Sequence, residues 1–289
     1  MTALYGVIGD PIEHSLSPLI HRGWMRDYNV DADYLAMQVP AGNLEDALET
    51  LALRGCKGAN ITLPHKEDAF RLSNRLSETA RRIGAVNTLM RSTDNVWAGD
   101  NTDAPGFRHA LGHAFEAVGT KPFSTPKAEY ALVLGAGGAS RAVAYVFGME
   151  GQSAVFCNRT LDRAQSLVAI HDIAQRSREK GVADAQAVGI ENLSDELRVC
   201  SYMVNATSLG HAGKSIDWPE GRGRLAYDLS YGKAADAFLG PAQEAGWRVV
   251  DGLRMLVAQA AVSFEIWFGR APDIDKGFER AARALEGVA

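Results

Sequence analysis

The run Tyr130-Ala-Leu-Val-Leu134-Gly135-Ala136-Gly137-Gly138-Ala139-Ser140 has the residue types and spacing that hold a pyrophosphate. An apolar strand enters a glycine loop, and the helix that follows offers free N–H groups at its first turn. The third position of the usual G-x-G-x-x-G pattern is Ser140, still small enough for close helix–strand packing. The next strand, residues 154–157, runs into Asn158-Arg159-Thr160, with Arg163 one helical turn later. An NAD site normally places Asp or Glu at that strand end to bind the ribose 2′-hydroxyl. Two guanidiniums stand there instead. Arginine pairs bidentately with phosphate, so the pattern favours NADP; the plainer alternative is two surface charges at a helix start.

A second group of candidates lies before the glycine loop. In Asn60-Ile-Thr62-Leu-Pro64-His-Lys66 an apolar run ends at a proline, which predicts a strand handing over to a helix with Pro64 in its first turn. Thr62 and Lys66 then occupy a usual place for active-site groups, although a lone lysine is more often a solvated charge. In Ser15-Leu-Ser17-Pro18 the spacing predicts Ser17 as N-cap and Pro18 as the first helical residue. That helix start, with two hydroxyls, is also a cradle for a small carboxylate. Asn87 interrupts the predicted strand 84–89, where an amide either ties down a loop or meets a polar ligand. Thr102 or Asp103 is expected to cap the helix running towards Val118. Met255 and Gln259, four apart, share one face of a periodic helix over 252–269.

Strands and helices alternate along the chain, which predicts an α/β protein with a mainly parallel sheet and ligands at its carboxyl ends. Asn205-Ala-Thr207 and Asp228-Leu229-Ser-Tyr231 are further strand ends of that kind, whereas 181–190 reads as a polar loop. The 289 residues suffice for two domains. A hydrophobic fraction of 46% and a net charge of −5 describe a globular protein without a nucleic-acid or anionic-membrane partner. No apolar run has transmembrane length, and no secretory signal is visible, so a cytoplasmic protein is expected. Cys56, Cys157 and Cys200 fit buried free thiols, with neither metal-ligand spacing nor a disulfide framework.

Taken together the motifs resemble the shikimate dehydrogenase family along essentially the whole chain. The matching blocks are Ser15-Leu-Ser17-Pro, Asn60-Ile-Thr62-Leu-Pro-His-Lys66, Gly84-Ala-Val-Asn87-Thr, Asn101-Thr-Asp103 and Gly135-Ala-Gly-Gly-Ala139. Asn158-Arg-Thr160, Asn205-Ala-Thr-Ser, Asp228-Leu-Ser-Tyr231 and Asp251-Gly252 with Met255 and Gln259 continue the series. The resemblance implies a substrate domain, 1–103 plus 252–289, and an inserted Rossmann-like NADP domain, 104–251, with a cleft between them. It implies reversible NADPH-dependent reduction of 3-dehydroshikimate to shikimate by a monomer or homodimer. Lys66 would be the general acid/base and Asp103 its partner. Ser15, Ser17, Thr62, Asn87, Tyr231 and Gln259 would bind substrate. Gly135, Ala136, Gly137, Gly138, Ala139, Asn158, Arg159, Thr160, Arg163, Thr207, Leu229, Gly252 and Met255 would bind cofactor, and no metal is implied. Arg22, His211, Gly232-Lys233 and Arg254 depart from the family pattern. A quinate or dual-substrate dehydrogenase, or a non-catalytic regulatory protein on the same scaffold, are the competing readings.

Overall fold

Apolar runs too short for helices become the strands of two six-stranded sheets in the computed structural model, which describes residues 2–94, 96–117, 130–176 and 183–287. The first half of the chain forms β1 (Ala3–Gly9), α1 (Ser17–Asp27), β2 (Ala32–Gln38), α2 (Leu44–Leu53) and β3 (Cys56–Ile61). Then come α3 (Lys66–Leu72), β4 (Arg75–Leu76), α4 (Glu78–Ile83), β5 (Thr88–Arg91), β6 (Trp97–Asp100) and α5 (Asp103–Glu116). After it follow β7 (Ala131–Leu134), α6 (Gly138–Glu150), β8 (Ala154–Asn158), α7 (Leu161–Gln175), β9 (Ala185–Gly189) and α8 (Leu193–Val199). The chain continues through β10 (Tyr202–Asn205), β11 (Leu225–Asp228), α9 (Lys233–Glu244), β12 (Arg248–Val250), α10 (Leu253–Phe268) and α11 (Ile274–Leu285).

The chain divides into two compact units, Met1–Gly106 with Leu256–Ala289, and Phe107–Met255. The sheet of the first unit has the order β2-β1-β3-β5-β6-β4. Its β1, β2 and β3 are parallel, while β5 runs antiparallel to both β3 and β6. The sheet of the second unit has the order β12-β11-β10-β7-β8-β9, and all its pairings are parallel. All four residues of β7, β10 and β11 are buried, as strands covered by helices on both faces must be. The strand order reverses between β7 and β10, the place where such sheets leave a crevice at their carboxyl ends. Among the described residues no helix is long and apolar enough to cross a membrane.

Several local expectations give way to tertiary packing. Pro64 lies in the turn before α3 rather than in its first turn, and α3 begins at Lys66. Ser17 is not a cap: α1 starts at Ser17 itself, and the Ser17 N–H donates to Ser15 Oγ at 3.3 Å. Neither Thr102 nor Asp103 caps α5; Asn101 Oδ1 accepts from the Ala104 N–H at 3.2 Å. Asn87 precedes β5 instead of interrupting it, and the polar segment before Ile190 forms β9, an edge strand with no fully buried residue before Gly189. Val118 lies outside the described residues.

The first unit has an aromatic core under α1. Trp24, Tyr34 and Phe264 are fully buried, and the His21 ring stacks on Tyr34 at a centroid distance of 4.3 Å. Neither His21 nitrogen has a hydrogen-bond partner among the described residues. Burial drives its pKa down to about 3, and the neighbouring Asn60 amide opposes this only in part. The unfolded chain therefore binds a proton that the folded one refuses, and stability falls as pH drops from about 6.5 to about 3. Replacing His21 with Phe, which keeps the stack, is expected to flatten that acid limb in denaturant titrations between those pH values. An unchanged limb would exclude His21 as its source.

Candidate active site

Lys66 is set at the start of α3 by the turn that ends β3, and Asp103 is the first residue of α5. The Lys66 Nζ lies 2.5 Å from Asp103 Oδ2, with 15% and 6% of the two side chains exposed. So close a pair at this burial is held by mutual attraction, with further bonds to the carboxylate. Asn87 Nδ2 supplies one to Asp103 Oδ1 at 2.8 Å. Asn87 is itself fixed, because its Oδ1 accepts from the Thr102 N–H at 2.7 Å. Gln259 Oε1 lies 3.3 Å from Asn87 Nδ2, and Gln259 Nε2 donates to the Leu256 carbonyl at 2.7 Å. Gly106 permits this approach of α5 to α10: a Cβ there would stand 2.7 Å from Gln259 Cβ and 2.8 Å from its backbone nitrogen.

Lys66, Asp103, Asn87 and Gln259 are thus joined by direct hydrogen bonds. Ser15 and Ser17 are joined to each other, and Thr62 is held by its backbone to Ile8 at 2.9 Å. Tyr34 Oη donates to Asn60 Oδ1 at 2.7 Å. Asn60 Nδ2 donates onward to the Asn87 carbonyl at 3.2 Å. This chain links Tyr34 to the lysine cluster. Tyr34, Thr88, Thr102 and Ser263 were not singled out by sequence reasoning as site residues, nor was Asn60 individually.

In the second unit the glycine loop connects β7 to α6. Gly135 has φ +104°, and a Cβ there would meet the Ala206 carbonyl oxygen at 2.9 Å, so glycine is required by both backbone and packing. Gly137 is different. Its φ is −98°, open to any residue, and a Cβ on it would meet nothing within 4 Å. Neither strain nor packing calls for glycine here, whereas close approach of a ligand to the backbone would. Gly138 and Ala139 open α6, whose first-turn N–H groups point out of the helix end. Asn158, Arg159, Thr160 and Arg163 follow at the end of β8, where Asn158 Nδ2 donates to the Thr160 carbonyl at 3.0 Å. Both arginines are exposed and in no ion pair among the described residues.

Asn205, at the end of β10, ties the neighbouring loops together. Its Oδ1 accepts from Thr207 Oγ1 at 2.7 Å, its carbonyl from the Leu229 N–H at 2.9 Å, and its Nδ2 donates to Asp228 Oδ2 at 3.1 Å. Burial raises the Asp228 carboxyl above its usual range, opposed by the Ser230 N–H and the Asn205 amide. Tyr231 is half-buried, and the Gly252 N–H donates to the Ser230 carbonyl at 2.7 Å. Met255 is buried in the first turn of α10. A helix start with open N–H groups, a glycine without structural need and two unpaired guanidiniums at the next strand end together fit a dinucleotide carrying an extra phosphate.

The family model for the shikimate dehydrogenase substrate binding domain matches residues 7–89, and that for the shikimate 5′-dehydrogenase C-terminal domain matches 252–277. A Hyphomonas neptunium protein named shikimate dehydrogenase (NADP(+)) is 46% identical over 289 residues, 100% of each chain. The chain belongs to the shikimate dehydrogenase family. Its fold is similar to that of shikimate 5-dehydrogenase from Thermus thermophilus in complex with NADP(H) and shikimate. The TM-score is 0.77 at 34% identity, covering 98% of this chain and 99% of that one. Quinate dehydrogenase from Corynebacterium glutamicum in complex with NAD has a TM-score of 0.80 at 25% identity, covering 96% and 98%. Of the departures from the shikimate dehydrogenase family pattern, Gly232 and Arg254 are half-buried. Arg22 pairs with Asp33 at 2.8 Å with both side chains about half exposed, and His211 and Lys233 are exposed.

Proposed function

We propose that this protein catalyses the reversible NADPH-dependent reduction of 3-dehydroshikimate to shikimate, as a cytoplasmic monomer or homodimer. The observation that carries the reading is the buried Lys66–Asp103 pair with Asn87 and Gln259 bonded around it. The first unit is the substrate domain and the second the NADP domain, with boundaries near 103 and 252. Bound NADPH supplies the hydride that reaches the carbonyl carbon. As the carbon–oxygen double bond opens, the electron pair moves to oxygen, and Lys66 Nζ gives that alkoxide a proton; the reverse reaction runs the same transfer backwards. Asp103 holds the ammonium in place and balances its charge. Ser15 and Ser17 bind the carboxylate, and Thr62, Asn87, Tyr231 and Gln259 bind the ring hydroxyls and remaining contacts.

The pyrophosphate would rest on Gly135, Ala136, Gly137, Gly138 and Ala139. Arg159 and Arg163, beside Asn158 and Thr160, would hold the 2′-phosphate. Thr207, Leu229, Gly252 and Met255 would line the nicotinamide side. The cradle has a specific test in Gly137→Ala. Because a Cβ at 137 meets no protein atom, the variant is expected to unfold within about 0.5 kcal/mol of wild type. The same methyl would stand where the pyrophosphate must approach, and KM for NADP is expected to rise about 10- to 100-fold with KM for shikimate little changed. Equal cofactor KM values would remove Gly137 from the cradle. The reading as a whole is tested by steady-state oxidation of shikimate and of quinate, each with NADP and NAD. Turnover is expected to be highest for shikimate with NADP, and its absence there would sink the reading.

A further inference from the structure

Three hydroxyls meet behind the Lys66–Asp103 pair. Thr88 Oγ1 lies 2.8 Å from Ser263 Oγ and 3.0 Å from Thr102 Oγ1, and Thr102 Oγ1 lies 3.1 Å from Ser263 Oγ. The triangle is closed, and all three residues are buried. They come from three places in the first unit: the start of β5, the turn before α5, and α10 one turn beyond Gln259. Two amides feed it. Asn60 Nδ2 donates to Ser263 Oγ at 2.9 Å, and Asn87 Nδ2 donates to Thr102 Oγ1 at 2.9 Å.

Counting protons shows what such a ring permits. A hydroxyl donates one hydrogen bond and accepts two. Three hydroxyl protons can serve the three edges, each residue donating to the next, and each oxygen still has room for an incoming amide bond. The circulation can run in either sense, and reversing it only turns the hydroxyl hydrogens. Asn87, by contrast, has no spare proton: three acceptors share its two Nδ2 hydrogens, Asp103 Oδ1 at 2.8 Å, Thr102 Oγ1 at 2.9 Å and, more loosely, Gln259 Oε1 at 3.3 Å. To donate to a substrate it must release one partner. Releasing Asp103 would loosen the carboxylate that holds Lys66. Releasing Thr102 leaves that hydroxyl with one bond donated and one accepted inside the ring.

We propose that the Thr88–Thr102–Ser263 hydroxyl ring is a positioning device that lets Asn87 transfer one amide proton from Thr102 to the bound substrate while keeping its bond to Asp103. The inference rests on the substrate role given to Asn87 above. Thr88 and Ser263 are positioning residues, acting through Thr102 and Asn87. With the ring open, Thr102 keeps a single hydroxyl neighbour, and turning the Asn87 amide to the substrate leaves this buried hydroxyl one bond shorter than in the closed ring.

The test uses Ser263→Ala and Thr88→Val, each removing one corner, and the double variant. Each single variant is expected to raise KM for shikimate about five- to tenfold, with kcat and KM for NADP within about twofold of wild type. One break opens the ring, so the double variant is expected to match the singles rather than multiply them. Ser263→Cys, of similar shape with a weak donor, is expected to fall between wild type and Ser263→Ala, and it serves if the alanine variant folds poorly. Thermal midpoints are recorded alongside, because packing defects alone lower the midpoint and leave KM for shikimate unmoved. Unchanged KM in both singles, or multiplied effects in the double, would overturn the ring and leave the dehydrogenase reading standing. Failure of the wild type to oxidise shikimate would overturn both.

Discussion

Replacing Lys66 with Ala is expected to lower kcat for shikimate oxidation by about 10²- to 10⁴-fold, with a smaller change in KM. The range is the usual worth of a positioned acid/base, and the geometry supports it. Asp103 holds the lysine nitrogen at 2.5 Å, so its orientation is set before substrate arrives. Removal of the ammonium leaves Asp103 bonded to Asn87 but without a cation, and some stability goes with it. The thermal midpoint should therefore be measured with the kinetics, and turnover assayed well below it. A folded Lys66→Ala protein with wild-type kcat would remove the residue from its role.

Replacing Asp103 with Ala is expected to have the second largest effect, a loss of about 10²-fold or more in kcat together with about 3 kcal/mol of stability. The stability figure is taken at the low end for a broken buried pair, because the Lys66 side chain keeps 15% exposure and water can reach it. The two residues act as one unit, so the Lys66→Ala/Asp103→Ala protein is expected to be about as slow as Lys66→Ala alone. Multiplying losses in the double variant would mean that Asp103 acts on substrate independently of Lys66.

The glycine loop was legible because its logic is local: strand, loop and helix are consecutive, and the residues that make the turn are those that meet the ligand. Lys66 was legible as a strand-end residue, and its tie to Asp103, 37 positions away, only through the family resemblance. Ser17 was misjudged as a cap because α1 begins at Ser17 itself, whose own N–H goes to Ser15 Oγ and whose side chain lies buried in the first turn. Ser263 was invisible for a different reason. It stands within the apolar stripe of α10, and its partners Thr88 and Asn60 are 175 and 203 positions distant. One-dimensional periodicity carries no trace of such contacts, and a buried serine in a helix looks like any small residue.

The bonds between α10, α11 and the rest of the first unit bear on the order in which the protein is made. Trp267 Nε1 donates to the Leu89 carbonyl at 3.1 Å, Trp24 Nε1 to the Asp273 carbonyl at 3.0 Å, and Arg280 pairs with Asp27 at 2.9 Å. Phe264 closes over His21 and Trp24, and Ser263 and Gln259 complete the polar cluster. All of these arrive after the second unit, which spans Phe107–Met255, has been translated. At ribosomal speeds of about 5–20 residues per second that interval lasts about 7–30 s. Throughout it the nascent first segment lacks the helices that cover Trp24, Tyr34 and His21, and presents an apolar face of the kind chaperones bind. The second unit, which is continuous in sequence, can fold within that interval. The unit that starts earlier in the sequence is thus completed after the one inserted in it, and its lysine–carboxylate pair acquires Gln259 and Ser263 only once the segment after Met255 has been made.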